Sequence, residues 1–201
     1  MVRPCWFMSL QLHFIRHGKT TAPAGCLVGA SEVELTFEGR QQARQLAERL
    51  PKGLPCLCSP MLRTRQTLAE FRGSTGVLDV EFDNRLREID FGCWEMKTFT
   101  QLINEQADIN GWQEYYHFCF PGGESVKDFI ERLQSLIVEW RQTRNNDRQL
   151  LIVTHGGVIR TMICLLLGLD HKNYLLFDIN YGSWNTVVLH SHGGILTGLN
   201  R

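Results

Sequence analysis

The stretch that decides the fold is Leu10-Gln-Leu-His-Phe-Ile-Arg-His-Gly18. Its apolar, strand-prone residues predict a buried β-strand that stops abruptly at a cation, an imidazole and a glycine. Arg16 and His17 are not core residues unless other groups satisfy their polar atoms. Because ligands of open α/β sheets bind at the carboxyl ends of the strands, this pair lies where chemistry is expected. The alternative is a strand that ends in an exposed Arg-His pair, and this stretch alone does not decide between the two.

A second predicted strand ends in the same kind of residues. The apolar run Leu150-Leu-Ile-Val153 predicts a central buried strand, and Thr154-His155-Gly156-Gly157 follows it. A helix is predicted directly after Gly156, and the free N–H groups of a helix N-terminus suit an anion. Arg63 starts a predicted helix behind a third strand, and a guanidinium is the preferred bidentate partner of phosphate. One edge of the sheet is therefore predicted to form a phosphate pocket.

Strands and helices alternate along the chain, which predicts an α/β fold: a three-layer sandwich with a mostly parallel central sheet flanked by helices. The strongest helix follows Ser125, where apolar residues recur at helical spacing. Thr36 is a good N-cap for an earlier helix, and Ser59-Pro60 starts another that runs from Met61 to about Phe71. The other predicted strands are Leu54–Cys58, Val77–Phe82, 184–190 and 194–199, of which the last two form a hairpin.

Length and composition restrict the class of protein. The 201 residues suit one domain, for which we predict a core of residues 9–92 and 125–201 and an insertion, 93–124, over the strand ends. Lys plus Arg equals Asp plus Glu at 21 each, which argues against a nucleic-acid or membrane-surface protein held by bulk charge. The 7 cysteines, without a C-x-x-C pair, predict free thiols and a cytoplasmic protein. Met8 offers an alternative start to the chain.

A series of short motifs runs in order from about residue 12 to residue 190. They are Arg16-His17-Gly18, Leu35-Thr36-x-x-Gly39-x-x-Gln42-Ala43, Ser59-Pro60-x-x-Arg63-x-x-x-Thr67, Leu86-Arg87-Glu88 with Gly92-x-Trp94-Glu95, Pro121-Gly-Gly-Glu-Ser125 and Thr154-His155-Gly156-Gly157. Each motif is weak alone, but the ordered set resembles the histidine phosphatase family, also called phosphoglycerate mutase-like. Within the family, the runs around Glu88 and Pro121 are similar to those of the α-ribazole-5′-phosphate phosphatases of cobalamin synthesis.

The resemblance implies a metal-independent phosphomonoesterase that needs no cofactor and forms a phosphohistidine on His17. It implies that Glu88 protonates the leaving alkoxide and then takes a proton from the attacking water. The neighbouring arginines predict a lowered pKa for His17, and only the neutral imidazole has the lone pair needed for attack. The expected phosphate-binding residues are Arg16, Arg63, His155 and Gly156, together with the hydroxyl of Thr20. The expected partner is a small phosphomonoester, with neither nucleic acid nor membrane, bound by a monomer or homodimer.

Several alternatives stay open at this point. Lys19-Thr-Thr stands where mutase relatives carry an Asn, and Val28 stands where α-ribazole phosphatases favour an aromatic residue. A phosphoglycerate mutase or a sugar (bis)phosphatase of the same family is therefore the first alternative. A non-catalytic phosphate- or phosphoprotein-binding module is the second, although such a module would not need the acid Glu88. Glu88 itself could instead form an ion pair with Arg87 or lie in a solvated turn.

Overall fold

The decisive stretch forms the strand β1 (Leu10–Arg16) inside a six-stranded sheet. We describe a computed structural model that covers residues 9–77, 79–109, 115–143 and 149–201, so the alternative start at Met8 lies outside the described residues. The other strands are β2 (Cys56–Cys58), β3 (Val80–Phe82), β4 (Gln149–Thr154), β5 (Trp184–His190) and β6 (Gly193–Gly198). Their order across the sheet is β3-β2-β4-β1-β5-β6. The first four strands in this order run parallel to one another. The strand β5 is antiparallel to β1, and β6 is antiparallel to β5.

Helices cover both faces of this sheet, which confirms the predicted α/β class. They are α1 (Phe37–Ala47), α2 (Leu62–Thr75), α3 (Phe99–Asn104), α4 (Val126–Thr143) and α5 (Gly156–Leu167), with short 3-10 turns at Asn84–Leu86, Gly92–Trp94 and His171–Leu176. The predicted N-cap forms, since the Thr36 hydroxyl accepts from the Gly39 N–H at 3.0 Å. The helix α2 runs past the predicted end at Phe71 and stops where Gly76 adopts a left-handed conformation.

The sheet separates two apolar clusters because successive side chains of a strand point to opposite faces. Phe14 and Ile152 belong to the cluster that also contains the buried residues of α4 and α5. Ile15 and Val153 belong to the other cluster, with buried residues of α1 and α2. The described part of the segment 93–124 contributes to the first cluster through Trp94, Leu102, Tyr115 and Phe120. The division of the chain into core and insertion stays a prediction.

The register of the parallel strands places the two histidines side by side. Arg16 pairs with Thr154 across β1 and β4, so both strands end at the same level. The His17 N–H continues the ladder and donates to the Thr154 carbonyl at 3.0 Å. Ser59, directly after β2, donates its N–H to Val153 at 2.9 Å. The carboxyl ends of β1, β4 and β2 therefore meet at one edge. No described helix is both long and apolar enough to cross a membrane.

Candidate active site

His17 lies directly after β1 and is almost fully buried, with 6% of its surface exposed. Its Nδ1 lies 2.8 Å from the Gly18 carbonyl oxygen, so Nδ1 donates a hydrogen and Nε2 carries the free lone pair. The turn needs glycine, since a Cβ on Gly18 would lie 2.3 Å from the Gly39 oxygen. The Gly18 N–H also donates to the Thr67 hydroxyl at 3.1 Å. These contacts fix the imidazole ring with one nitrogen available for attack on phosphorus.

Burial lowers the pKa of His17 well below 6.5, and the positive charges of Arg63 and Arg16 lower it further. Sequence reasoning identified the effect of the arginines but not burial, which is the larger cause. The neutral imidazole is therefore the dominant form at neutral pH. A neutral histidine has the lone pair that nucleophilic attack on a phosphoryl group requires.

Arg63 and His155 form a fully buried pair next to His17. Arg63 Nε donates to His155 Nδ1 at 3.1 Å, and His155 Nε2 lies 2.8 Å from the Ser59 hydroxyl. Because Nδ1 accepts, His155 is neutral and its Nε2 donates to Ser59. Burial, followed by the charge of Arg63, lowers the pKa of His155 well below 6.5. The rings of His155 and His17 meet edge to face with their centroids 5.2 Å apart.

Arg16, which directly precedes His17, contacts Tyr181 and Ile179. Its guanidinium carbon lies 3.6 Å from the centre of the Tyr181 ring, and Nη1 donates to the Ile179 carbonyl. Its Nε is buried and has no hydrogen-bond partner among the described residues. Gly156 opens α5 beside this atom, where a Cβ would lie 3.1 Å from Arg16 Nε. Arg16 is thus held as a cation next to the N-terminus of α5.

Glu88 reaches the same helix N-terminus from the segment that follows β3. Its Oε2 accepts from the Gly157 N–H at 2.9 Å, rather than pairing with Arg87. A Cβ on Gly157 would lie 2.5 Å from Glu88 Oε1, so the carboxylate rests directly on the backbone. Arg132 donates to the Glu88 carbonyl at 3.2 Å and fixes the main chain at this position. The Glu88 carboxylate is therefore held at the N-terminus of α5.

A cavity of about 380 Å³ opens over these residues. Its lining includes the predicted site residues Arg16, His17, Thr20, Glu88 and Gly156, together with Gly157. Its walls are mostly apolar and include Leu27, Val28, Phe91, Phe99, Tyr115, Phe120, Val126, Phe129, Tyr174 and Leu175. Arg63 and His155 are fully buried and are not among the residues that line the cavity. The structure brings all the predicted residues into one region but places only some of them against the open space.

Sequence reasoning missed Tyr181 and Arg160, which also line the cavity. Tyr181 stacks on Arg16 and lies with its ring centre 5.6 Å from that of His17. Arg160 lines the cavity from α5, and its Nε donates to the Phe177 carbonyl at 2.8 Å. The sequence could have indicated a role for Arg160, because it is the only charged residue in the apolar helix α5. Tyr181 carried no such signal, because the segment before β5 shows neither helical nor strand periodicity.

The lowered pKa values of His17 and His155 predict that acid destabilises the fold from mildly acidic pH. Below about pH 6.5 the unfolded chain binds protons that the folded chain does not, so the free energy of unfolding falls as the pH falls. Each histidine contributes a limiting slope of about 1.4 kcal/mol per pH unit. Urea denaturation at pH 7.5, 6.5 and 5.5 measures this slope.

The variant His17→Gln is the control for this experiment, since it removes one of the histidines that cause the pH dependence. The free energy of unfolding of this variant should therefore fall less steeply as the pH falls. The paired carboxylates Glu70 and Asp83 have lowered pKa values, so each stabilises the fold when it is ionised. This contribution to the free energy of unfolding is lost only below about pH 4.5. A free energy of unfolding that stays constant between pH 6.5 and 5.5 would contradict the expectation.

The comparisons with known proteins agree on one family. The family model of the Histidine phosphatase superfamily (branch 1) matches residues 12–201. The Probable phosphoglycerate mutase GpmB of Salmonella paratyphi B is 32% identical over 167 residues, which cover 80% of this chain and 76% of the relative. These matches confirm the family resemblance that the ordered motifs predicted.

Solved structures show the same architecture. The alpha-ribazole phosphatase from Shigella flexneri matches with a TM-score of 0.83 and 27% identity, over 95% of this chain and 96% of that one. The mycobacterial glucosyl-3-phosphoglycerate phosphatase matches with a TM-score of 0.80 and 28% identity, over 96% of this chain and 99% of that one. The names of these relatives include two phosphatases and a mutase with different substrates.

Proposed function

Since the chain belongs to the histidine phosphatase superfamily, we propose that it is a metal-independent phosphomonoesterase whose nucleophile is His17. One observation carries the proposal: a buried, neutral His17 faces the same cavity as the cation Arg16 and the carboxyl group of Glu88. Phosphoryl transfer depends mainly on positioning and on stabilisation of negative charge. A binding module would need the cations but not the nucleophile and the acid.

The proposed reaction has two steps. In the first, the Nε2 lone pair of His17 forms a bond to phosphorus while the bond between phosphorus and the ester oxygen breaks. Protonated Glu88 gives its proton to the leaving alkoxide. In the second, the Glu88 carboxylate accepts a proton from water, the water oxygen bonds to phosphorus, and the bond to His17 breaks to release phosphate. Arg16 and the Gly156 N–H at the start of α5 stabilise the phosphoryl oxygens.

The form of the cavity supports a substrate with a large apolar leaving group. Its volume of about 380 Å³ falls in the range of sites for small organic ligands, and its walls are mainly aromatic and aliphatic. We propose α-ribazole 5′-phosphate, whose leaving alcohol carries a dimethylbenzimidazole ring that such walls can cover. The likeness to the Shigella flexneri phosphatase supports the same choice. A phosphoglycerate would leave most of these apolar walls without contact.

One observation favours a second candidate, a phosphoglycerate mutase or a sugar phosphatase. Arg160 lines the cavity and can pair with a carboxylate or a second phosphate of a substrate. The relative from Salmonella paratyphi B supports this candidate. The two proposals differ in their dependence on Arg160, because a neutral leaving group gains nothing from its charge.

A panel of phosphate esters tests the substrate. For α-ribazole 5′-phosphate we expect a kcat/KM roughly 10-fold or more above that for 3-phosphoglycerate, fructose bisphosphates or p-nitrophenyl phosphate. The variant Arg160→Gln should leave the α-ribazole rate within about 3-fold. Isomerisation of 3-phosphoglycerate by the wild type would favour the second candidate. So would a loss of activity on phosphoglycerate, but not on α-ribazole 5′-phosphate, in Arg160→Gln. Tight binding of phosphate without turnover of any ester would favour a binding module.

A further inference from the structure

Glu95 lies outside the cavity lining, yet its carboxylate accepts a dense set of hydrogen bonds. The donors are the backbone N–H groups of Gly29 (3.1 Å to each oxygen), Ala30 (2.8 Å), Ser31 (3.2 Å) and Phe91 (3.0 Å), and the Ser31 hydroxyl (2.6 Å). These donors fill the roughly four lone-pair positions that a carboxylate offers. Successive N–H groups that wrap one anion form a rigid backbone concavity. We call residues 28–31 the strap.

The carbonyl groups of the same strap bind Arg63. Arg63 Nη2 donates to the Gly29 carbonyl oxygen at 2.7 Å and to the Val28 carbonyl oxygen at 3.5 Å. Arg63 Nη1 donates to the Ser31 carbonyl oxygen at 2.9 Å. The strap is thus held between an anion on its N–H side and a cation on its carbonyl side. Each charge polarises the peptide groups in the direction that strengthens the other contact.

The strap has little freedom to move. A Cβ on Gly29 would lie 1.9 Å from the Ile89 carbonyl oxygen and 2.5 Å from Glu95 Oε1, so only glycine allows this approach. Arg63 in turn has no exposed surface, and its third nitrogen, Nε, donates to His155 Nδ1. The orientation of the guanidinium next to His17 therefore depends on where Glu95 holds the strap.

We propose that Glu95 is a positioning residue for phosphoryl transfer, which acts on the reacting phosphate through the strap and Arg63. This inference rests on the proposed phosphatase function. Glu95 lies outside the cavity lining, but a shift of the strap would move the guanidinium of Arg63, whose positive charge acts on His17 and, in this proposal, on the phosphoryl group bound there. A misplacement of about 1 Å in such a group can cost about 100-fold in rate.

The variant Glu95→Gln tests this role, since the amide keeps the size of the side chain but replaces one acceptor oxygen with a donor. We expect kcat/KM to fall 10- to 100-fold and the inhibition constant of inorganic phosphate to rise at least about 10-fold. Glu105→Gln is the matched control, because it neutralises an exposed carboxylate that pairs with Lys97 nearby. The control should keep the wild-type kcat and phosphate inhibition constant.

A purely structural role gives a different result. In that case Glu95→Gln would lower Tm, but assays at temperatures well below Tm would give the wild-type kcat/KM and the wild-type inhibition constant of phosphate. This result would overturn the proposal. If Glu95→Gln does not fold, Ser31→Ala removes a single hydroxyl contact to the same carboxylate. It should weaken phosphate inhibition by about 3-fold, and an unchanged constant would equally overturn the proposal.

A double-mutant cycle tests whether Glu95 acts through Arg63. The Arg63→Lys variant lacks the forked contact to the strap. Adding Glu95→Gln to it should therefore weaken phosphate binding less than about 3-fold relative to Arg63→Lys alone. A full additional 10-fold loss would show that Glu95 acts by another route. The wild-type protein separates this inference from the function itself. Wild type without turnover or phosphate binding contradicts the function, whereas active wild type with an equally active Glu95→Gln contradicts only the positioning role.

Discussion

The variant His17→Ala is expected to lose at least about 10⁴-fold in kcat on every phosphate ester that the wild type hydrolyses. The imidazole is the group that bonds to phosphorus in the proposed mechanism, and alanine offers no nucleophile in its place. The fold should survive, because the side chain lies at the end of β1 rather than in either apolar cluster. Steady-state assays with p-nitrophenyl phosphate and α-ribazole 5′-phosphate measure the loss.

A chemical trap makes this test specific. Wild-type protein quenched during turnover of a ³²P-labelled ester should carry a label that acid removes and alkali leaves, as expected for a phosphohistidine. His17→Ala should carry none. His192→Ala is the control, since this exposed residue lies in the turn between β5 and β6. Activity above one percent in His17→Ala, or label that persists in it, would assign the nucleophile to another residue.

Much of the site could be predicted because its residues sit on regular elements. β1 and β4 were readable as apolar strands, and parallel strands in one sheet must bring their carboxyl ends to the same edge. His17 and His155 were therefore expected at the same edge, and the register of β1 against β4 makes them neighbours. The apolar stripe after Ser125 likewise became the buried face of α4.

The remaining features depend on contacts between residues far apart in the chain. The sequence predicts that Arg63 and His155 hold the phosphoryl oxygens, and this role stays a prediction, since both side chains are fully buried and neither is among the residues that line the cavity. Their position follows from the strap and from Ser59, and no local pattern encodes those contacts. The strand β2 starts at Cys56 rather than Leu54, since the intervening proline has no N–H for the ladder.

The variant Glu88→Gln is expected to separate two substrates by their leaving groups. An alkyl ester such as α-ribazole 5′-phosphate needs a proton on its alkoxide, so its kcat/KM should fall about 10²- to 10⁴-fold. p-Nitrophenyl phosphate releases a stable phenolate without that proton, so phosphorylation of His17 should slow much less. The second step still lacks its base, and a rapid burst of p-nitrophenol followed by slow turnover is therefore expected.

Two further variants test whether the carboxyl group acts in the chemistry or only in the structure. Gly157→Ala places a Cβ 2.5 Å from Glu88 Oε1 and should displace the carboxylate, which reproduces the same dependence on the leaving group in weaker form. Glu131→Gln on α4 removes an exposed carboxylate that pairs with Lys127 and should leave both rates unchanged. An equal loss on the two esters without a burst would mean that Glu88 only supports the start of α5 through its hydrogen bond to Gly157. A leaving-group dependence with an unchanged Tm identifies proton transfer, because a structural contact has no means of distinguishing a phenolate from an alkoxide.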